Sequence, residues 1–262
     1  MKLSETSFTV FDLETTGLYP ASGDKICEIG ALRVDPGGRK STFHSLVDPV
    51  RPISYGAFRV NRITREMVCG QPHAGDILPD FVEFIKGSVL VAYNAGFDLG
   101  FLQAELEDNG RELEGMRFID ALILARKLFA GAGKYNLANI AEFLEISVDT
   151  KHRAMADVLT TWSVFEKELG LLKMRGVKKV EDISGVYTSK KEPAADESVL
   201  SVIRDAIKKG MTLNITYKSL WNEITTNRSI LPIRIDESYI IAYCQLRKSQ
   251  RTFRLDCIID AK

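Results

Sequence analysis

The stretch from Phe8 to Gly17, FTVFDLETTG, constrains the fold more than any other part of the chain. Phe8, Val10 and their apolar neighbours predict a buried β-strand, and its period of two puts Asp12 and Glu14 on one face at its end. Thr15, Thr16 and Gly17 then turn the chain away. Two anions side by side at the end of an apolar strand repel each other and resist desolvation, so they need a shared proton or a cation. A hard divalent ion is the simplest answer. Two solvated carboxylates would explain an isolated pair equally well, and the remaining segments decide between the two.

At 262 residues, 45% of them hydrophobic, the chain can bury a sizeable core and hold more than one domain. Lys+Arg and Asp+Glu both number 35, so no net field marks a polyanion partner, although the tail from Asp196 to Lys262 carries a local excess of positive charge. Cys27, Cys69, Cys244 and Cys257 form no CxxC pair, which argues against structural zinc and for buried thiols in a reducing compartment. The N-terminus runs straight into the first strand without a secretory signal, and no apolar run is long enough to span a bilayer. A cytoplasmic protein with no membrane partner is expected.

Lys25–Val34 and Arg39–Val47 predict a hairpin around Asp35 to Gly38, followed by an irregular stretch, Arg51–Val68, with Thr64 as a helix cap. A helix over Ile77–Ile85 leads to a short strand, Ser88–Ala92, and Asn94 caps the helix that follows. Arg117–Ile119 predicts a strand; helices are expected over Asp120–Phe129, Asn136–Leu144 and Arg153–Gly170. Strands first, then alternating strands and helices, imply a mixed sheet covered by helices. A polar, basic linker is expected over 173–195, with one domain at 1–172 and a β-rich one at 196–262. The latter holds a helix, Ser198–Lys209, and strands at Thr212–Tyr217, Ser229–Ile235, Ser238–Cys244 and Thr252–Ile259.

Asp98 falls in the first turn of the helix after Asn94, where the helix N-terminus favours an anion. In HRAMAD, His152 and Asp157 would lie about 140° apart on one straight helix, so the histidine belongs on the loop before the helix and the aspartate in its early turns. Asp12, Glu14, Asp98 and Asp157 thus bring four carboxylates from three separated apolar segments. Such an oxygen-rich site suits Mg²⁺ or Mn²⁺, and with bound phosphate it has room for two ions.

FDLETTG, YNAGFDLGFL and HRAMAD together resemble the three motifs of the DEDDh (DnaQ-like) 3′-5′ exonucleases, over about residues 7 to 170. That resemblance implies an α/β, ribonuclease H-like fold with a mixed five-stranded sheet flanked by helices. It also implies two divalent cations held by Asp12, Glu14, Asp98 and Asp157, with His152 as general base. Thr15, Gly17 and Leu18 would hold the terminal nucleotide, with Asn94 and Phe97 nearby. The implied substrate is the 3′ end of DNA, single-stranded or frayed, with RNA as an alternative and a polymerase as a candidate partner. Tyr93 and Asn61 stand where the family commonly has histidine.

The tail resembles WYL domains, small SH3- or Sm-like β-barrels, through Tyr217, Pro232, Tyr239 to Tyr243 and the run from Arg251 to Asp256. Ser238 and Ile240 replace the name-giving tryptophan and leucine. Tyr217, Arg228, Tyr243, Arg247, Arg251 and Arg254 are the candidate contacts for phosphates and bases. Alternating arginine and apolar residues are also what the two faces of ordinary strands look like.

Overall fold

The computed structural model describes residues 1–111, 115–147, 153–183, 186–188, 196–218, 225–236 and 239–262. In chain order the larger elements are β1 (Phe8–Thr15), β2 (Ile26–Val34), β3 (Lys40–Leu46), α1 (Tyr55–Asn61), α2 (Arg65–Val68), α3 (Ala74–Ile85), β4 (Val89–Ala92), α4 (Ala95–Asp108), β5 (Arg117–Asp120), α5 (Ala121–Leu128), α6 (Leu137–Phe143), α7 (Ala154–Met174) and β6 (Val186–Thr188). The tail follows with α8 (Glu197–Lys209), β7 (Leu213–Lys218), β8 (Thr225–Asp236), β9 (Tyr239–Cys244), β10 (Ser249–Arg254) and β11 (Ile258–Ala261). The chain divides into two compact units, one built from residues 1–20 and 24–189 and the other from residues 21–23 and 190–262.

The first unit is a sheet in the order β3-β2-β1-β4-β5-β6, with β1, β4 and β5 parallel and the others antiparallel. The five strands expected are present, and β6 adds a sixth at the edge. Phe8 and Val10 on one face of β1 pack with Val158, Trp162 and Phe165 of α7, the Phe8 and Phe165 rings meeting edge to face at 5.3 Å. Phe11, on the other face, meets Phe81 of α3 at 6.2 Å. The sheet is therefore covered on both faces, and Asp12 and Glu14 continue the row that lies under α7.

The close approach of α7 to β2 depends on Gly30. A methyl group there would lie 2.8 Å from the Ala154 carbonyl carbon, so any other residue would push the start of α7 away from the sheet.

Four expectations are corrected. Arg51–Val68 is not irregular throughout: Ser54 caps α1 by accepting the Ala57 N–H at 3.1 Å. Asn94 occupies the N-cap of α4 in a left-handed conformation (φ 69°) and makes no side-chain cap; its own N–H instead donates to Asp120 Oδ1 at 3.2 Å. The stretch expected as a linker begins inside α7, Val180 and Ile183 join the first unit's core beside Leu3, and β6 pairs with β5. Residues 184–185 and 189–195 of that stretch lie outside the described residues.

The fourth correction concerns the tail unit, where the strand expected over Thr252–Ile259 is split into β10 and β11 by a 3-10 turn at Leu255–Cys257. Its five strands run β10-β9-β8-β7-β11, all antiparallel, with Val199, Ile203 and Ala206 of α8 packed on one face. Among the described residues β10 and β11 are edges, so this is an open sheet and not the closed barrel expected. No described helix is long and apolar enough to cross a membrane.

Glu168 of α7 is fully buried, and neither carboxylate oxygen has a hydrogen-bond partner. Burial first, and then the charge of Asp120, push its carboxyl well above the ordinary 4.5. The folded state therefore keeps a proton that the unfolded chain releases, and stability from this position is lost as pH rises above about 4.5. Glu168→Met is expected to stabilise the protein by about 1–3 kcal/mol, with a larger gain at pH 8 than at pH 5, in denaturant melts.

Candidate active site

Three carboxylates converge at the end of β1. Ligand oxygens of Asp12, Glu14 and Asp157 all lie within 4.8 Å of one another. Strand periodicity supplies the first two, and the start of α7 brings the third over them. Asp98 reaches the same place from α4: it is buried, and its Oδ1 accepts the Leu13 N–H at 3.0 Å.

Crowding and burial set the charge state of this cluster. Burial, followed by the charges of Asp98, Glu14 and Asp157, pushes the Asp12 carboxyl well above its usual range. Burial also raises Glu14 to about 8, helped by Asp157 and Glu28 and opposed by a hydrogen bond from Asn61. Asp98 rises to about 8, again chiefly by burial, with the Leu13 N–H pulling the other way. Without a cation such a set holds protons at neutral pH; with one, it is a hard, all-oxygen donor set. The residues present thus fit a divalent metal ion.

Glu28 builds the support beneath this cluster. On β2 it sits directly opposite Glu14, almost fully buried. Its carboxylate accepts Arg153 Nε at 2.9 Å, Arg153 Nη2 at 2.6 Å, the Ala154 N–H at 3.2 Å and a bond with His44 Nε2 at 2.7 Å. Burial alone would raise its carboxyl, but these bonds, that of Arg153 foremost, hold it below the ordinary value. Glu28 therefore stays ionised and ties the chain just before α7 to the sheet. The sequence signal was a single charged residue in the otherwise apolar ICEIGAL run, Ile26 to Leu32.

The turn after β1 is fixed by another acid that the sequence did not single out. Thr15 Oγ1 donates to the Gly17 carbonyl at 2.6 Å. Asp24 accepts the Tyr19 N–H at 3.0 Å and Thr16 Oγ1 at 3.3 Å. It lies so near Gly17 that a side chain there would meet its carboxylate at 2.1 Å. Leu18 is left 65% exposed at the tip. Asn61 is buried, donating to the Thr15 carbonyl and accepting from the Ile63 N–H, so it braces this turn from behind. Tyr93 is engaged elsewhere, its hydroxyl donating to the Tyr135 carbonyl at 2.7 Å. Phe97 is half-buried, its ring 5.1 Å from that of Phe101, and Asn94 is exposed at the start of α4. His152 lies outside the described residues; its neighbour Arg153 is the residue clamped by Glu28.

The six tail candidates do not share one surface. Strand register puts Tyr217, Arg228 and Arg251 on the face that carries Ile215, Ile230 and Ala242, and Tyr243 and Arg254 on the opposite face. Arg247 sits in the β9–β10 turn. Tyr217 is part of the tail core, packed edge to face on Phe253 at 5.4 Å. A tyrosine holding a core together is a poor stacking platform, so Tyr217 is removed from the candidate surface.

A row of acids closing the central strand of a helix-covered mixed sheet defines a ribonuclease H-like, metal-binding nuclease site. The comparisons with known proteins agree. The family model described as "Exonuclease" matches residues 9–165, more than half of the chain, and the chain belongs to that family. A second model, the WYL domain, matches residues 198–262. Among curated relatives, a DNA polymerase III PolC-type protein of Caldanaerobacter subterraneus subsp. tengcongensis is 38% identical over 70% of this chain and 13% of its own length. A DNA polymerase III subunit epsilon of Treponema pallidum is 39% identical over 61% of this chain and 74% of its own. The chain thus spans about an eighth of the PolC-type relative and most of the epsilon subunit. A solved structure of Exonuclease X in complex with 5′-overhanging duplex DNA is 29% identical, with a TM-score of 0.52 over 65% of this chain and 93% of that one.

Two outcomes are expected. In EDTA the melting temperature should fall by about 5 °C or more between pH 5 and pH 8. Glu14 ionises near 4.5 when unfolded and near 8 when folded, so stability is lost across that window; Mg²⁺ at pH 8 should restore it. Glu28→Ala, which strands Arg153, should cost about 2–4 kcal/mol in a denaturant titration, and Arg153→Lys, which loses only the bidentate geometry, about 1 kcal/mol.

Proposed function

We propose that this chain is a metal-dependent 3′-5′ exonuclease that hydrolyses the terminal phosphodiester of DNA and releases nucleoside monophosphates. The observation that carries the reading is the convergence of Asp12, Glu14 and Asp157 within 4.8 Å, with Asp98 buried beside them. Those four residues would hold two divalent ions, Mg²⁺ or Mn²⁺. Bound there, the ions supply water activation and neutralise the charge that develops on the leaving 3′ oxygen.

The rest of the work falls to the chain's own groups. Thr15, Gly17 and Leu18 form a turn pinned by Asp24 and Asn61, and an apolar tip at Leu18 suits the face of a terminal base. Asn94 and Phe97 flank the cluster from α4. His152 takes the proton from the attacking water, because its ordinary pKa lies near working pH and the Glu28–Arg153 clamp fixes the backbone next to it. DNA is favoured as substrate by the polymerase III relatives and by the DNA in the Exonuclease X structure. RNA is the nearest competing substrate, since carboxylates that hold metal ions act on the phosphate, which DNA and RNA share. The epsilon-type relative makes a polymerase the candidate partner.

The domain reading is a catalytic part at 1–172, a stretch over 173–195 that first completes the catalytic part's core and sheet through Val180, Ile183 and β6, and a WYL-like unit at 196–262. β8 pairs with β7 over Thr225–Ile230 and with β9 over Ile230–Asp236, bending at an irregularity between Pro232 and Arg234. That bend supports the SH3-like curvature expected of the tail. Arg228, Arg247, Arg251, Arg254 and Tyr243 are its candidate contacts for strand phosphates and bases.

End-labelled DNA and RNA oligomers, single and double stranded, incubated with Mg²⁺ or Mn²⁺ test the reading directly. Shortening from the 3′ end is expected. Asp12→Ala or Asp157→Ala should reduce it by at least about a thousandfold, as expected when metal ligands are lost, and EDTA should abolish it. Undiminished release in EDTA would refute the mechanism.

A further inference from the structure

A cavity of about 550 Å³ opens beside the turn after β1, and no residue of the acidic cluster lines it. Its walls include Arg51, Ile53, Phe58, Ile63, Thr64 and Arg65. Two contacts join it to that turn. The Ser54 N–H donates to the Thr16 carbonyl at 2.9 Å, and Asp24, which pins Thr16 and Tyr19, also pairs with Arg51 at 3.1 Å.

The cations around this cavity are held from behind. Arg65 pairs with Asp48 at 3.2 Å, as Arg51 does with Asp24, so each guanidinium is oriented while donors remain for a ligand. Arg51 Nε is buried and makes no hydrogen bond. Arg62 lies over the Phe58 ring at 6.0 Å. Across residues 50–66 there are four arginines against one acid, Glu66, so with Asp24 and Asp48 spent on Arg51 and Arg65 the local balance stays positive. On the rim, Val50 adopts a left-handed conformation (φ 51°) that a β-branched residue rarely takes, secured by its N–H on Asp48 Oδ1 at 2.9 Å. Val50 is 70% exposed there.

We propose that this cavity is a second nucleotide subsite, which takes a nucleotide of the substrate strand inward of the terminal one, its phosphate on Arg51 and Arg65 and its base against Phe58. The inference rests on the nuclease reading above. A concave wall joining an aromatic ring to oriented guanidinium groups matches a nucleotide unit, and stacking of this kind tolerates any base, as a processing nuclease requires.

The test uses the full chain and two substrates, the p-nitrophenyl ester of thymidine 5′-monophosphate, which offers one nucleotide only, and a single-stranded DNA oligomer of about ten nucleotides. Phe58→Leu and Arg65→Gln are each expected to raise KM for the oligomer about tenfold while hydrolysis of the ester stays within about twofold of wild type. Phe58→Tyr, which keeps the ring, should retain the wild-type KM. Arg65→Gln should also flatten the salt dependence of oligomer binding by about 0.7, the share of one phosphate on a single strand. Thermal melts establish that the variants are folded. Ester hydrolysis with an unchanged oligomer KM overturns the subsite, as does an equal loss on both substrates. Failure of the wild-type protein on both substrates would instead remove the nuclease reading beneath it.

Discussion

Four carboxyl groups crowded at the end of one strand form an arrangement that a protein cannot hold without help. Asp12, Glu14 and Asp98 are each pushed upward in pKa by burial and by neighbouring acids, so the site is stable only with protons or a cation in it. The surrounding structure is organised around resisting that repulsion. The sheet fixes Asp12 and Glu14 on one face, α4 delivers Asp98 with the Leu13 N–H as its anchor, and α7 lays Asp157 over them through the gap that Gly30 leaves.

Glu28 shows how the fold separates structural charge from chemical charge. It lies across from Glu14 in the same crowded neighbourhood, yet its carboxyl is held down by Arg153, His44 and the Ala154 N–H. One acid is thus neutralised within the protein and left out of metal binding, while burial and mutual repulsion push its neighbours Asp12 and Glu14 toward holding protons or a cation. A similar division appears at the turn after β1, where Asp24 is spent on Thr16, Tyr19 and Arg51. Both acids act by fixing the backbone that presents the reactive groups.

Much of this was legible beforehand because the relevant signals were local. The apolar run ending in Asp12 and Glu14, the hairpin around Asp35 to Gly38, and Asp98 in a first turn each depend on spacing within about ten residues. What escaped was set by distant partners. α1 is only seven residues long, and its residues are bound to the turn after β1 through Asn61 and Ser54. β6 has three residues and exists as a strand by pairing with β5. The break between β10 and β11 leaves no mark, because Phe253, Leu255 and Cys257 keep the alternation of a continuous strand. Tyr217 packs on the tail core, which local sequence does not reveal, because a tyrosine between polar neighbours suits either face equally well.

By itself the sequence determined the chemistry: which acids are available, their place at strand ends and helix starts, and so the family and the need for a divalent ion. Those properties follow from residue type and short-range periodicity. Only the tertiary structure decided which acids face one another and which are cancelled. It also decided how the arginines after β3 come to surround a cavity beside the turn. Such pairings join residues as far apart as Glu28 and Arg153, and nothing in a linear string fixes the register or the helix approach that brings them within hydrogen-bonding distance.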